Sequence, residues 1–279
     1  MLSSTLKVGI CQISTTYQIE QNIAKAVDMV KDAASSGADI VALPEMFLTP
    51  YEPDYIRKAK DFTGKAIEEL ANAALEHGIY IVAGSLPYLQ EGGKPFNRSF
   101  VFDAKGRVVC FHDKLHLFDC EPPGGPVVRE SDIIRKGNHL DTFETPWGLS
   151  SVIVCYDIRF TPLLQLLADR GVVLLFVPAA FSLSTGKAHW EMLVRLRAVE
   201  IQGFVVGVQP AYNPDLKYIP WGHSIVSNPW GEVLMDAGKE EVVKVVDIDM
   251  EEVEKIRMSF PLLEHRRSDL YSTTWLGNR

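Results

Sequence analysis

The sequence predicts an α/β fold in the form of a four-layer αββα sandwich, built from two pseudo-symmetric mixed-sheet halves. Short apolar segments rich in β-branched residues alternate with amphipathic segments of helical period. The same order of segments recurs in the second half of the chain, and no linker longer than a loop separates the two copies. We therefore expect a single domain over residues 1–279, with halves at about 1–148 and 149–250 and a tail at 251–279.

The internal repeat shows in three pairs of aligned segments. In the first pair both segments end in a cysteine, and in the second pair Gly, Pro and Phe recur at matching positions. The pairs are 8–11 with 152–155, 37–47 with 171–181, and 78–82 with 203–207. One supersecondary unit used twice accounts for this pattern.

Each unit reads as strand, helix, strand, helix, strand and hairpin. In the first unit an apolar run predicts the opening strand, and Gly37 and Gly78 end the two helices. The predicted elements are a strand at 7–13, a helix whose apolar face is Ile19, Ile23, Ala26, Val27 and Val30, a strand at 40–43, a helix at 66–77, a strand at 79–83, and a hairpin of 100–102 with 108–110.

The second unit repeats this order. Its first strand ends at Cys155, and Thr161 followed by Pro162 predicts a helix N-cap with Pro at the first helical position. Strands separated by helices pair in parallel through right-handed crossovers, and the hairpins add antiparallel strands at the edges. A sheet covered by helices on one face must bury the other face, and two related halves can bury theirs against each other.

Three candidate catalytic residues lie just beyond predicted strands or at a hairpin exit, where open sheets bind ligands: Glu45, Lys114 and Cys155. Cys155 precedes a helix N-terminus, a position that favours an exposed thiol of lowered pKa; the alternative is a packing cysteine. Glu45 closes a buried strand, where desolvation raises the pKa of a carboxyl towards that of a general base. Lys114 is a cation among apolar neighbours, or alternatively a surface lysine paired with Asp113.

A cysteine hydrolase of the Cys-His type is an open alternative, because it needs only a histidine near the thiol. Four histidines are candidates by residue type: His112, His116, His189 and His223. A metal site is not expected, because the pair His112 and His116 has no third ligand at a recognisable spacing. Glycine-rich nucleotide motifs are absent from the sequence, so nothing favours a dinucleotide or a nucleoside triphosphate as ligand.

Composition excludes several classes of partner. With 28 basic and 36 acidic residues the net charge is −8, which argues against nucleic acid. The apolar runs are far shorter than the ~20 residues that cross a bilayer, so no membrane span is expected. Residues 1–13 show no secretory signal, and four cysteines without close pairing suit the reducing cytoplasm.

The three site residues lie in motifs that resemble the nitrilase superfamily of carbon-nitrogen hydrolases. The matching segments are 43–45, 112–114 and 154–157, and the resemblance covers nearly the whole chain. Within that superfamily the sequence is most similar to the omega-amidase branch. The closer likeness rests on segments 114–119, 155–160, 189–190, 195–200, 221–224, 228–232 and 266–271. Segments 46–51 and 120–126 depart from the branch pattern, which leaves the choice of substrate open.

The resemblance implies a role for each site residue. Cys155 would be the nucleophile, Glu45 its general base, and Lys114 a stabiliser of the tetrahedral oxyanion. Glu130 would be the second glutamate, which orients the lysine, and the backbone N–H of Tyr156 would be the other oxyanion donor. The implied fold is the αββα sandwich, and no cofactor or metal is required.

The resemblance also implies a small amide substrate with a free carboxylate, such as 2-oxoglutaramate. For that carboxylate we expect a clamp from Arg159, with an Arg159–Asp157 brace as the alternative, and a mouth lined by Tyr51 and Phe181. Other hydrolases of the family, acting on deaminated glutathione, nitriles or carbamoyl groups, and a non-catalytic scaffold are the alternative functions. A homodimer is expected, with the helix around residues 191–200 and the tail at 264–279 facing the second subunit.

Overall fold

A computed structural model describes residues 4–90 and 92–277 of the chain. The first three residues of the predicted N-terminal segment and the last two of the predicted tail lie outside them. The strands are β1 (Thr5–Gln12), β2 (Ile40–Ala42), β3 (Tyr80–Val82), β4 (Leu86–Tyr88), β5 (Phe96–Phe102), β6 (Val108–Asp113), β7 (Asp119–Cys120), β8 (Val128–Arg129), β9 (Phe143–Thr145), β10 (Gly148–Val152), β11 (Leu174–Pro178), β12 (Phe204–Val208), β13 (Ile225–Ser227), β14 (Val233–Asp236) and β15 (Val242–Asp249). The α-helices are α1 (Ile19–Ser35), α2 (Pro53–Ala59), α3 (Thr63–His77), α4 (Thr161–Asp169), α5 (Leu183–Ile201) and α6 (Glu251–Ser259).

Two mixed sheets form the centre of the molecule. The first runs β15-β1-β2-β3-β5-β4, with β6 on the other side of β5, and the second runs β14-β13-β12-β11-β10-β9. In each sheet three consecutive strands are parallel, β1-β2-β3 in the first and β10-β11-β12 in the second. Antiparallel strands flank both sets. The sheets therefore have the mixed, repeated construction that the sequence predicts.

The layers follow from which face of each strand is apolar. Between the sheets, Val8, Ile40 and Val82 of the first share one core with Leu174 and Phe204 of the second. The opposite face of the first sheet is covered by α1 and α3, and that of the second by α4 and α5. This is a four-layer αββα sandwich, and it confirms the predicted fold class.

The sheets do not divide the chain at the predicted boundary near residue 148. β9 lies before that boundary but belongs to the second sheet, because a tight turn at Trp147 forms a hairpin between β9 and β10. β15 lies in the predicted second half but pairs with β1 over eight residues at the edge of the first sheet. The two halves are therefore interlocked through strands that cross from one sheet to the other.

Other local predictions also need correction. Helix α2 was not expected, although Pro53 at its start is a typical first helical residue. Thr161 is the first residue of α4 rather than its N-cap, and makes no side-chain capping bond. The expected stops are observed, since Gly37 and Gly78 adopt left-handed φ angles of 89° and 65° directly after α1 and α3. In the part of the chain that the structure describes, no helix has the length and apolar character of a membrane span.

Candidate active site

The structure brings Glu45, Lys114 and Cys155 to one end of the sandwich. Glu45 follows β2, Lys114 follows β6, and Cys155 follows β10 by three residues. The ammonium Nζ of Lys114 lies 2.9 Å from Oε1 of Glu45, and both side chains are fully buried. The surface-lysine alternative is therefore wrong, because Asp113 points elsewhere and forms a bidentate ion pair with Arg98.

Cys155 sits in a backbone conformation that is unusual for a residue with a side chain. Its φ angle is 48°, in the left-handed region, and it opens a short 3₁₀ turn over Cys155–Arg159. Strain of this kind persists only where the surroundings fix the backbone. Here Asp157 helps to fix it, because its Oδ2 accepts a hydrogen bond of 3.2 Å from the backbone N–H of Val154.

Glu130 completes an ionic cluster around the lysine. Its Oε2 lies 2.8 Å from Lys114 Nζ and also accepts a 2.7 Å hydrogen bond from the backbone N–H of Phe118. Burial by itself lowers the pKa of Lys114, but the carboxylates of Glu130 and Glu45 outweigh it and raise that pKa well above its ordinary value. The lysine is therefore a permanent cation at neutral pH, and it is available as a donor to a developing negative charge.

Asn97, in β5, is a member of this cluster that the sequence analysis did not assign. Its Nδ2 donates hydrogen bonds of 2.7 Å to Glu45 Oε1 and 3.2 Å to Glu130 Oε1, so it bridges the two carboxylates. The only sequence signal is an Asn within an apolar strand, where Asn is depleted. The residue is also completely buried, which removes the Asn97-Arg98-Ser99 sequon from the protein surface.

The electrostatics of the thiol correct one prediction. Burial is the main cause that raises the pKa of Cys155 well above its ordinary value, and the nearby Glu45 carboxylate raises it further. Lys114 acts in the opposite sense. The expected lowered pKa is therefore wrong, and the thiol is protonated at neutral pH. Burial also raises the pKa of Glu45, as expected, although Lys114 opposes that shift. A protonated thiol beside a carboxylate of raised basicity is an arrangement suited to proton transfer.

Asp157 joins the turn that carries Cys155 to the segment that carries Lys114. Its carboxylate pairs with Nε2 of His112 at 2.9 Å and with Nδ1 of His116 at 2.7 Å. Burial raises the pKa of this carboxyl, but the hydrogen bonds with the two histidines outweigh burial and hold the pKa well below its usual range. Both histidines therefore hydrogen-bond to Asp157, and neither is paired with the thiol.

The other two histidine candidates are also held by groups other than Cys155. Nδ1 of His189 lies 3.2 Å from Nη1 of Arg159. His223 pairs with Asp236 at 3.0 Å and stacks on Trp221. Among the described residues no group of three His, Cys, Asp or Glu side chains is placed to hold a metal ion. The geometry thus favours a carboxylate, rather than a histidine, as the base for the thiol.

Cys155 opens into a small pocket, called here the Cys155 pocket. The lining of the pocket includes Cys155, Tyr156, Arg159, Ala180, Phe181 and Tyr218. Arg159 does not brace Asp157, since its guanidinium lies 4.8 Å from the Phe181 ring and its Nε has no hydrogen-bond partner within the described ranges. Phe181 also packs on Trp190, so it contributes to both the pocket wall and the core.

Tyr51 contacts both the ionic cluster and Tyr218. Its hydroxyl is 3.5 Å from Lys114 Nζ, and its ring packs on Tyr218 with 5.2 Å between centroids. It lines a separate cavity together with Glu130 and Lys217. Tyr51 and Phe181 thus line neighbouring spaces that share Tyr218 as a wall, and their place in one substrate mouth stays a prediction.

Comparison with known proteins identifies the family of the chain. The family model described as Carbon-nitrogen hydrolase matches residues 7–258. The omega-amidase NIT2 of Mus musculus is 40% identical over 273 residues, which is 96% of this chain and 98% of that protein. The omega-amidase NIT2 of Homo sapiens is 39% identical over 270 residues, again 96% and 98%. The chain belongs to the carbon-nitrogen hydrolase family.

Solved structures give the same result. Nit3 of Saccharomyces cerevisiae, described as a member of branch 10 of the nitrilase superfamily, superposes with a TM-score of 0.87 at 32% identity, covering 95% of this chain and 98% of that one. The NitFhit protein of C. elegans superposes with a TM-score of 0.91 at 32% identity, covering 98% of this chain and 68% of that one. The predicted family and fold are thereby confirmed.

Proposed function

We propose that this protein is an omega-amidase, which hydrolyses the terminal amide of small dicarboxylic acid monoamides such as 2-oxoglutaramate through a cysteine thioester. The observation that carries the proposal is the buried cluster in which Lys114 contacts both Glu45 and Glu130 beside the thiol of Cys155. The relatives named omega-amidase, at about 40% identity over nearly full length, support the choice of substrate class.

In the first half-reaction the thiol of Cys155 attacks the amide carbonyl carbon. Because the raised pKa keeps the thiol protonated, attack requires a base, and Glu45 takes the proton. The carbonyl oxygen becomes an oxyanion, which the Lys114 ammonium and the backbone N–H of Tyr156 stabilise. Such a donor in a dry site contributes about 3–4 kcal/mol to the transition state. Glu45 then gives its proton to the departing nitrogen, and ammonia and a thioester are formed.

In the second half-reaction water attacks the thioester carbon while Glu45 accepts a proton from it. The same two donors stabilise the second oxyanion, the carbon–sulfur bond breaks, and the thiol recovers its proton from Glu45. Glu130 acts through its 2.8 Å contact with Lys114, because it orients the ammonium that the substrate meets. Every step is carried by groups of this chain and by water.

The test of the proposal is ammonia release from 2-oxoglutaramate by the native protein and two variants. Cys155→Ala removes the nucleophile, and we expect no turnover with an unchanged thermal transition. Cys155→Ser should be almost inactive as well, because Glu45 is a weak base for a hydroxyl. Turnover by Cys155→Ala at the native rate would refute the thioester mechanism. A panel with deaminated glutathione, nitriles and carbamoyl compounds tests the substrate class, and preference for one of those would replace the omega-amidase assignment.

For the free carboxylate of the substrate we propose Arg159. Two observations support this role: Arg159 lines the Cys155 pocket, and its buried Nε has no hydrogen-bond partner within the described ranges. Arg159→Met should raise KM selectively for carboxylate-bearing amides. The matched control is Lys217→Met, which removes an exposed cation from the cavity on the far side of Tyr218. A loss that is equal for neutral and carboxylate-bearing amides, or a larger loss in the control, would contradict the clamp.

We also propose a cytoplasmic homodimer that pairs through α5. An apolar patch on this face supports the interface, with Met192 57%, Trp230 55% and Leu196 44% exposed. Arg197, in contrast, is buried against the Ile158 carbonyl and is not part of that patch. The four free cysteines suit a reducing compartment. Light scattering tests the dimer: Leu196→Glu should give a monomer, whereas Leu75→Glu, a control at another exposed site, should stay dimeric. If both variants are monomers, or both are dimers, the proposed interface is wrong.

A further inference from the structure

A second cavity adjoins Glu45. It has room for about one water molecule and is called here the Glu45 cavity. The lining of the cavity includes Thr15, Glu45, Thr49, Tyr51, Ala180 and Tyr218. Ala180 and Tyr218 also line the Cys155 pocket, so the two spaces share a wall beside the nucleophile.

Two polar atoms at this cavity lack hydrogen-bond partners in the described part of the chain. They are Oε2 of Glu45 and Oγ1 of Thr49, whose residues are 1% and 2% exposed. The other oxygen of Glu45 is already saturated, because Oε1 accepts from Lys114 at 2.9 Å and from Asn97 at 2.7 Å. Oε2 is therefore the oxygen that is free to accept a proton.

Buried polar atoms without partners are costly, and in proteins an ordered water usually satisfies them. A carboxylate oxygen accepts hydrogen bonds only, whereas a hydroxyl both donates and accepts. One water donating to Glu45 Oε2 and accepting from Thr49 Oγ1 would satisfy both atoms. Such a water would have a lone pair remaining for attack on carbon.

We propose that the Glu45 cavity is the binding site for the hydrolytic water and that Thr49 is its positioning residue. This inference rests on the proposed thioester mechanism and assigns it a place for the second nucleophile. Thr49 lies in the turn after Glu45, where its backbone N–H donates to the Met46 carbonyl at 3.1 Å. The turn that positions the base therefore also positions the hydroxyl.

The water oxygen forms a bond to the thioester carbon, and one water proton moves to Glu45 Oε2. When the tetrahedral intermediate collapses, the carbon–sulfur bond breaks and the sulfur leaves with the bonding pair. Glu45 returns the proton to that sulfur, which gives a carboxylic acid and the free thiol. No reactant other than water is consumed.

The test compares Thr49→Val with Thr49→Ser. Valine keeps the shape of threonine and lacks the hydroxyl, whereas serine keeps the hydroxyl and lacks the methyl group. The acyl-enzyme on Cys155 is formed with 2-oxoglutaramate, and its formation and decay are followed separately by rapid quenching and intact-protein mass spectrometry. We expect Thr49→Val to slow the decay roughly tenfold while the formation rate stays near native, and Thr49→Ser to decay within about twofold of native.

Three results would overturn the inference: native decay in Thr49→Val, equal slowing of formation and decay, or a serine variant as slow as the valine variant. If Thr49→Val does not fold, a high-resolution crystal structure of the native protein decides. Water within hydrogen-bond distance of both Thr49 Oγ1 and Glu45 Oε2 supports the site, and its absence there overturns it. A native protein that releases no ammonia from any such amide would instead refute the proposed function.

Discussion

Asn97 provides the sharpest perturbation of the ionic cluster, because it donates to both carboxylates and has no charge of its own. We predict that Asn97→Leu, a replacement of similar size, destabilises the protein by about 2 kcal/mol. A hydrogen bond to a charged group contributes about 1.5–3 kcal/mol, so the short bond to Glu45 and the longer one to Glu130 together account for about 3 kcal/mol. Burying the apolar leucine offsets about 1 kcal/mol of that loss.

The same replacement should change the pH dependence of catalysis. A donor to Glu45 favours its ionised form, so removing the donor raises the pKa of Glu45 further above its ordinary value. Because a general base acts only when it is ionised, the acidic limb of kcat/KM should move to higher pH, while the alkaline limb stays in place. The measurements are ammonia release as a function of pH and unfolding in urea.

Ser99→Ala is the matched control, because Ser99 lies two residues along the same strand and its buried hydroxyl has no hydrogen-bond partner in the described ranges. Alternate residues of a strand face the same side, so this variant changes the same surface without touching the carboxylates. We expect native stability and a native pH profile from it. If Asn97→Leu leaves the acidic limb in place and the stability unchanged, or if Ser99→Ala gives the same shifts, the reasoning is wrong.

Two further predictions concern the backbone around the site. Asp157→Asn should cost about 3–5 kcal/mol at neutral pH, because it removes a buried carboxylate that is hydrogen-bonded to both His112 and His116. The pKa of Asp157 is lowered on folding, so this stabilisation is present above the ordinary Asp pKa of about 3.9 and is lost as the pH falls below it. The difference in urea unfolding between native and variant should therefore shrink towards about pH 3. Gly84→Ala should cost about 2–4 kcal/mol, because Gly84 has a φ of 50° and an added Cβ would lie 2.0 Å from the Pro44 carbonyl oxygen. The control is Gly78→Ala, which has a similar φ of 65° and open space around it and should cost about 1 kcal/mol. Equal losses of stability in the two variants would contradict the clash.

Much of the site was predictable because its main members follow strands. Each of the three is visible as a local pattern in the sequence: Glu45 as an acid after a buried strand, Lys114 as a lysine at a hairpin exit, and Cys155 as a cysteine before a helix. Glu45 and Lys114 follow strands of the first sheet, whereas Cys155 follows a strand of the second. The predicted packing of the two sheets is therefore what places the thiol near the other two residues.

Other members were not predictable in this way. Asn97 lies inside β5, where its sequence neighbours are those of an ordinary buried strand. A brace between Asp157 and its near neighbour Arg159 was the alternative to the clamp, but Asp157 contacts His112 and His116, about 40 positions earlier. Partners of this kind depend on which segments the sheets bring together, and no local pattern records them.

The sequence by itself determined the alternation of strands and helices, the repeated unit and the residue types at the strand ends, because these depend on periodicity and on the conformational preferences of single residues. Tertiary structure alone decided the rest. β15 returns to pair with β1, and two carboxylates come to share the lysine at the end of the sandwich. Burial then raises the pKa of the Cys155 thiol instead of lowering it. The physical reason is that desolvation and charge–charge interactions depend on distance in space, which the folded chain alone defines.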